Sequence, residues 1–291
     1  MGLTVGSCSW KFPSWQDIVY SSPEPPSFLA EYARKYRSVE VDQWFWSLFG
    51  RETIKLPNPR EVARYLSDVG PEFTFGIKAP NSITLTHLYK QARKDAGKEN
   101  PHFLSSKLTR EFLERIVPMR QQVVALMLQF EYLNKRKMEG LSPFLKRLEE
   151  YFSEVPPDWP YALEIRNPNY LKRPYFSFLK EHRIAHVFAH GYYMPPAWET
   201  YRGFRDQIGE RAVLRLLGWD RSGIEKITGK RWNSVVDPKD EELDNLAWMV
   251  GDLLDRGVDV AVYVNNHYEG SAPITIERLL ARIGDVDRDR D

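Results

Sequence analysis

The sequence predicts an α/β fold, a single (β/α)8 barrel, on three observations: eight short β-rich runs, helical spacing between most of them, and no linker that splits the chain. Strands that alternate with helices pair in parallel. A length of 291 residues suits one unit of this kind. The alternative, an open doubly wound sheet, calls for a Gly-rich phosphate turn after the first strand. "GSCSW" at 6–10 is not that turn.

In order, the strand-like runs are LTVGS (3–7), SVEVD (38–42), FTFGIKA (73–79), VVALMLQF (123–130), YALEIR (161–166), AHVFAH (185–190), AVLRLLG (212–218) and VDVAVYVNN (258–266). Ser27 before FLAEYARKY and Asn58-Pro59 before REVARYL are helix starts, the second with proline at the first helical position. From Ser142, SPFLKRLEEYF puts Phe144, Leu145, Leu148, Tyr151 and Phe152 on one helical face. The run KDEELDNLAWMVGDLLDRG has acids in its first turn and stops at Gly257. Between Gly191 and Arg211 the chain is rich in proline and aromatics, which fits either a shortened helix or a loop. The stretch from Pro80 to Thr109 is longer than an ordinary βα connection and reads as an insertion after strand three, at the barrel rim. The domain is expected over 1–284, with 285–291 a charged, disordered tail.

Composition narrows the function classes. Lys+Arg 41 against Asp+Glu 40 leaves a net charge of +1, without the basic excess of a non-specific nucleic-acid binder. Aromatic residues are abundant at 13%, including nine Trp, and such rings build cores or stack on sugars and bases. Cys8 is the only cysteine, so no intrachain disulfide and no cysteine-based zinc cluster can form. No basic leader with an apolar run is present, and no stretch reaches the ~18 apolar residues of a membrane span. These features predict a soluble, cytoplasmic protein with no membrane partner.

Chemistry concentrates late in the strands. Glu164 and Arg166 are two residues apart in the fifth run and share a face; Glu40 and Asp42 do the same in the second. Lys78, Gln129 and Arg215 add one polar group each from three more strands. In a barrel these positions meet at the C-terminal mouth, where active sites of the fold lie. Buried charges survive only when paired, so the set reads either as a neutral polar plug or as a functional cluster. Contributions from five strands at one end favour the cluster, since apolar layers fill a barrel at lower desolvation cost.

The loops at that end are basic: YKQARKDAGK (89–98), NKRK (134–137) and DRSGIEKITGKRW (220–232). With Tyr89, Tyr132 and Trp232 nearby in sequence they suit an anionic, phosphorylated ligand, or they are ordinary solvated loops. His87, His190, His267 and Glu269 offer ligand types for a divalent metal beside Glu40, Asp42 and Glu164, but no tight spacing selects such a site. Cys8 reads as a nucleophile or, more simply, as a small buried residue. Trp10, Trp44 and Trp46 are stacking platforms or rim packing, with packing the simpler assignment.

Taken in order, "GSCSW", "VEVDQWFW", "FTFGIKAP", "LMLQFE", "LEIRNPNY" and "VYVNN" resemble the YecE-like barrels from about Gly6 to Leu280. The resemblance implies a TIM-type barrel and no settled activity. Residue by residue it falls on Trp10, Glu40, Phe45, Lys78, Gln129, Glu164, Arg166, Asn265 and Asn266. Three departures stand out: Asp42 replaces an Asn, GSCSW replaces a G-T-S-G-W type opening, and RLLG replaces R-L-H-G after Arg215. The last removes a histidine that could serve as general base.

These readings predict an enzyme acting on a phosphorylated sugar, a nucleotide or a nucleic-acid fragment. Lys78, Arg166 and Arg215 would clamp the anion, and Glu164, Glu40 and Asp42 would carry acid/base work. Gln129, Asn265, Asn266, Trp10 and His190 would contact the ligand. A non-catalytic barrel that binds nucleic acid or protein through its basic rim is the competing class, and a glycosidase using two carboxylates is a narrower variant.

Overall fold

The computed structural model describes residues 2–89 and 95–288. Eight parallel strands close into a barrel in sequence order, β1 beside β8. They are β1 Leu3–Ser7, β2 Ser38–Val41, β3 Thr74–Lys78, β4 Val123–Gln129, β5 Tyr161–Glu164, β6 Ala185–Gly191, β7 Arg211–Gly218 and β8 Asp259–Val264. Their side chains are nearly all buried, because helices cover the outside of a sheet whose inside is packed.

The first two helices start where their sequences signal. Ser27 Oγ accepts from the Ala30 N–H to open α1, Phe28–Lys35, and Asn58 Oδ1 accepts from the Arg60 N–H to open α2, Pro59–Asp68. After β3 the chain makes α3, Asn81–Thr84, then a segment joined by an isolated bridge between His87 and Glu99, and then α4, Ser106–Ile116. Asn100 pins this segment by donating to the Ser82 and Leu85 carbonyls at 2.8 and 2.6 Å. Residues 90–94, which carry part of the expected basic rim, lie outside the described residues. α5, Leu141–Glu154, and α6, Arg173–Glu181, follow β4 and β5. The Pro- and aromatic-rich connection forms the short α7, Ala197–Phe204. α8, Arg221–Thr228, and α9, Asp240–Asp255, come between β7 and β8, and α9 carries acids 240–242 in its first turn. The last helix, α10, spans Ala272–Arg288 and so takes in part of the stretch expected as a tail; 289–291 lie outside the described residues. Among the described residues no helix is long and apolar enough to cross a membrane.

Strand β6 shows how parity sorts side chains. His186 meets Tyr175 and Phe176 of α6, Phe188 meets Tyr201 of α7, and His190 meets Trp198 of α7. That parity faces the helices, so Val187 and Ala189 face the barrel interior. Ala189 pairs in register with Arg215, and its small side chain leaves room for the guanidinium.

Candidate functional site

The centre of the mouth is a four-member ion network. Arg215 grips Glu40 with two parallel hydrogen bonds, Nε to Oε2 and Nη2 to Oε1, both at 2.7 Å. Its Nη1 donates to Glu164 Oε2 at 2.6 Å and to Gln129 Oε1 at 3.3 Å. The other oxygen of Glu164, Oε1, pairs with Arg166 Nη2. Both carboxylates are 0% exposed. Burial alone would neutralise Glu164, yet Arg166, Arg215 and Lys78 outweigh it and hold the carboxyl below its usual range. Burial likewise opposes the charge on Arg215, and Glu164 with Glu40 more than restores it. Two carboxylates and two guanidinium groups therefore form a charge-balanced set.

Above it sit two groups with no such partner. Asp42 follows β2 and opens a 3-10 turn, Gln43–Phe45, with its partly exposed carboxyl on the cavity wall. Burial, and then the Glu40 charge, push its pKa up to about 6. Lys78 ends β3, is 9% exposed, and holds Nζ 3.9 Å from the centroid of the Phe45 ring. Burial, and then Arg215, lower its pKa, although Glu40, Glu164 and Asp42 all pull the other way. Among the described residues no carboxylate lies within ion-pair reach of Lys78 and no acceptor within hydrogen-bond reach. Both groups are thus shifted toward their neutral forms.

These residues floor a cavity of about 760 Å³. Arg166 projects into it with its guanidinium 4.7 Å from the Tyr192 ring, and its Nη1 is buried without a hydrogen-bond partner. A buried donor of that kind awaits an acceptor. Glu131, also on the wall, is consumed by Thr86, whose N–H and Oγ1 donate at 3.1 and 2.8 Å, and by Lys137. Aromatic rings stand around the opening: Trp46 is 50% exposed and Tyr193 94%, with Tyr89 and Tyr132 also at the surface.

The walls differ in rigidity. Gly191 ends β6 at φ 127°, and a Cβ there would lie 2.2 Å from the Gly218 carbonyl oxygen. Gly218 ends β7 at φ 80°, and its Cβ would lie 2.3 Å from the His267 carbonyl oxygen. The chain exits of β6, β7 and β8 touch backbone to backbone, which only glycine permits. Tyr192 and Tyr193 then adopt left-handed φ values of 52° and 65°, a strain that non-glycine residues hold at sites where the surroundings fix them.

Of the residues expected from sequence, Asp42, Lys78, Gln129, Arg166, Arg215 and Asn265 line the cavity. Five others do not. Glu40 and Glu164 lie beneath, sealed under Arg215, so neither reaches a ligand directly. Trp10 is buried edge-on against Tyr65 at 5.1 Å, as packing. His190 faces outward on β6; its Nε2 lies 2.7 Å from Glu242 of α9, and its Nδ1 accepts from the Ala197 N–H. Asn266 turns away from its neighbour Asn265, and its Oδ1 accepts from the Ala272 N–H at the start of α10. Trp46, for which packing was the simpler assignment, is on the cavity wall.

The metal candidates are dispersed. His267 contacts Asn265 Oδ1 and Glu225 at 2.5 and 3.0 Å, His87 contacts Thr86, and Glu269 is held between α9 and α10. Among the described residues no three His, Cys, Asp or Glu side chains form a group able to hold a metal ion. Cys8 touches the cavity, but burial and the Glu40 charge raise its thiol well above the usual range, the reverse of an activated thiolate. Sequence reasoning missed Tyr192 and Tyr193; the run "HGYYMPP" carried the signal, a glycine followed by paired aromatics at a strand end.

The family described as "Protein of unknown function DUF72" matches residues 4–290. The chain belongs to that family. DUF72 is the YecE family that the ordered motifs resemble. The barrel is similar to a DUF72 structure from Thermotoga maritima MSB8, 21% identical over 99% of this chain and 100% of that one, with a TM-score of 0.67. It is similar also to a DUF72 structure from Enterococcus faecalis V583, 18% identical over 97% of this chain and 95% of that one, again with a TM-score of 0.67. Likeness at these identities establishes the barrel, and chemistry has to be argued from the side chains. Among curated proteins none matches the chain.

Proposed function

We propose that this DUF72 protein is an enzyme that acts on a small, polar, anionic substrate in the mouth cavity. The observation that carries the reading is the division of the charged cluster. Glu40 and Glu164 are ion-paired with Arg215, and Glu164 with Arg166 as well, while Lys78 and Asp42 line the cavity without an ion-pair partner and Arg166, on the same wall, keeps a buried Nη1 with no hydrogen-bond partner. A plug built only for stability has no reason to leave a guanidinium donor unmet in a buried place. An anionic oxygen of the substrate answers that donor, with Gln129 and Asn265 available for hydroxyl or amide groups.

Within this reading Asp42 is the acid/base group. Its carboxyl faces the cavity and its pKa of about 6 places both protonation states within reach near neutral pH. Glu164 and Glu40 act one step removed, by fixing Arg215 and Arg166. The same sealing disfavours a glycosidase built on Glu40 and Glu164, because a sugar must lie between its two carboxylates and here one guanidinium occupies that space.

The experiment is a thermal-shift panel of sugar phosphates, nucleotides, short RNA and DNA, and neutral sugars, on wild type and Arg166→Met. At a hundredfold excess over Kd a bound ligand stabilises by ~2.7 kcal/mol. One phosphorylated class should raise the melting temperature of wild type, and Arg166→Met should lose that shift. If Arg166→Met keeps the full shift, or no phosphorylated compound shifts wild type, the anion assignment is wrong.

The exposed Trp46, Tyr89, Tyr132 and Tyr193 favour a second reading, a non-catalytic rim that stacks single-stranded nucleic acid. Its signature in the same panel is a shift with short RNA or DNA that survives Arg166→Met and disappears in Tyr132→Ala.

A further inference from the structure

Among the described residues Lys78 is the cation of the mouth that has no ion-pair partner. A structural lysine at this depth would be expected to reach one of the three carboxylates nearby. Instead Glu40 and Glu164 pair with Arg215 and Arg166, and Lys78 Nζ rests over the Phe45 ring with no acceptor among the described residues. It is also a poor primary anion clamp, since Arg166, which lines the same cavity wall, already holds one guanidinium nitrogen without an acceptor. A lysine that is desolvated, close to a fixed guanidinium and open to a cavity has the attributes of an amine kept for its lone pair. Asp42, on the adjacent strand end, supplies a carboxyl that faces the same space.

We propose that Lys78 is a nucleophile that forms an imine with the carbonyl carbon of a substrate aldehyde or ketone carrying a phosphate or carboxylate group. This rests on reading the mouth as an enzyme site, and it narrows the substrate to carbonyl compounds. The neutral Nζ adds its lone pair to the carbonyl carbon, forming the C–N bond while the π pair moves to oxygen. The Asp42 carboxylic acid donates a proton to that oxygen, and the resulting carboxylate removes one from nitrogen. Protonation of the hydroxyl then lets it leave as water as the nitrogen lone pair closes C=N. Amine and carbonyl thus give imine and water, with no oxidant or reductant required. The protonated imine accepts the electron pair of an adjacent C–H bond as the Asp42 carboxylate takes the proton, or of a C–C bond as a β-hydroxyl loses its proton to that carboxylate and the fragment leaves as a carbonyl compound, the steps of an isomerase and a lyase. Burial and the Arg215 charge favour the neutral amine this sequence needs, and the carboxyl raised to about 6 can hold the proton that is passed. Cys8, the other nucleophile type at the cavity, is held as a thiol by its own burial.

Reductive trapping tests the proposal. Full-length wild type is incubated with dihydroxyacetone phosphate, glyceraldehyde 3-phosphate, pyruvate or glyoxylate in the presence of sodium cyanoborohydride, digested, and mapped by mass spectrometry. The expected result is a reduced adduct on Lys78 with at least one probe, formed ahead of every surface lysine. The adduct should be lost in Lys78→Arg and in Lys78→Met, whose folding is checked by circular dichroism, and its formation slowed in Asp42→Asn. Labelling spread over surface lysines with Lys78 unmodified overturns the imine. If the phosphorylated probes raise the melting temperature but leave Lys78 unlabelled, the imine falls and the anion site stands. If no probe either binds or labels, both fall.

Discussion

Among the described residues the buried carboxylates fall into two clusters, and they are built to different specifications. Glu269, 0% exposed, accepts from the Lys239 N–H and Arg278 Nη1 at 2.7 Å each on one oxygen, and from Thr275 Oγ1 at 2.8 Å on the other. Arg278 and Arg282 continue to Asp240, and Arg282 to Asp244. Each strong donor there ends on an acceptor, and the result is a staple between α9 and α10. The mouth starts the same way, with Arg215 binding Glu40 and Glu164, and then stops short: Lys78 and Asp42 line a cavity without an ion-pair partner, and Arg166 Nη1 is buried with no acceptor. Buried ionic groups on their own are weak evidence of function, because a staple explains them. What separates the two clusters is the residue of unmet capacity.

The comparison can be broken most severely at Arg215. Replacing it with leucine leaves two carboxylates buried without their main partner and should cost ~3–5 kcal/mol at neutral pH, read as a lower urea midpoint. A wild-type midpoint would mean that the four-member network holds nothing together. Next, and opposite in sign, Asp42→Asn should stabilise. The folded state holds the Asp42 proton up to a pKa of about 6, the unfolded chain only to 3.8, so the folded form binds more protons between those values and stability falls as pH rises through them. The variant escapes that loss, a gain of up to about 3 kcal/mol at pH 8 that shrinks toward zero below about pH 4. Equal stabilities at pH 8 would show that Asp42 is ionised at no cost.

Glu269→Gln sharpens the contrast from the other side. It weakens a charged hydrogen-bond set and should cost ~1–3 kcal/mol, while leaving the ligand-induced thermal shift of the mouth intact. If that shift also vanished, the two clusters would not be independent. The smallest effect belongs to Trp46→Ala, where an exposed ring is removed: stability should stay within ~0.5 kcal/mol of wild type, while affinity for the ligand that shifts wild type decreases. Unchanged affinity would exclude Trp46 from the binding surface.

The barrel was legible because short apolar, β-rich runs and helical segments repeat in turn along the chain, and both signals are local in sequence. Placing charges at the mouth was legible for the same reason: a charge late in an apolar run has one end of the barrel to go to. Depth was not. Arg215 reaches Glu40 across 175 residues of sequence and Glu164 across 51, and nothing in "VEVD" or "LEIRN" says which acid will be covered by a guanidinium and which left in view. Side-chain parity failed at β6, where AHVFAH puts Ala185, Val187 and Ala189 on one face and His186, Phe188 and His190 on the other without saying which face meets the helices, and so His190 was assigned to the wrong side. Asn265 and Asn266 show the same limit at single-residue scale, one on the cavity and the other capping α10. Asp42, by contrast, was visible as a departure from the family pattern, and it is the carboxylate the fold leaves accessible.

The backbone contacts from Gly191 to Gly218 and from Gly218 to His267 also bear on how this mouth can be altered. Side chains cannot be added at those two glycines without prying apart three strand exits, so that arc behaves as fixed masonry. The facing arc is made of side chains instead, Trp46, Tyr89 and Tyr132, carried on connections that follow β2, β3 and β4. A redesign aimed at a new substrate therefore has one productive direction: diversify the β2 to β4 connections and leave the glycine arc untouched.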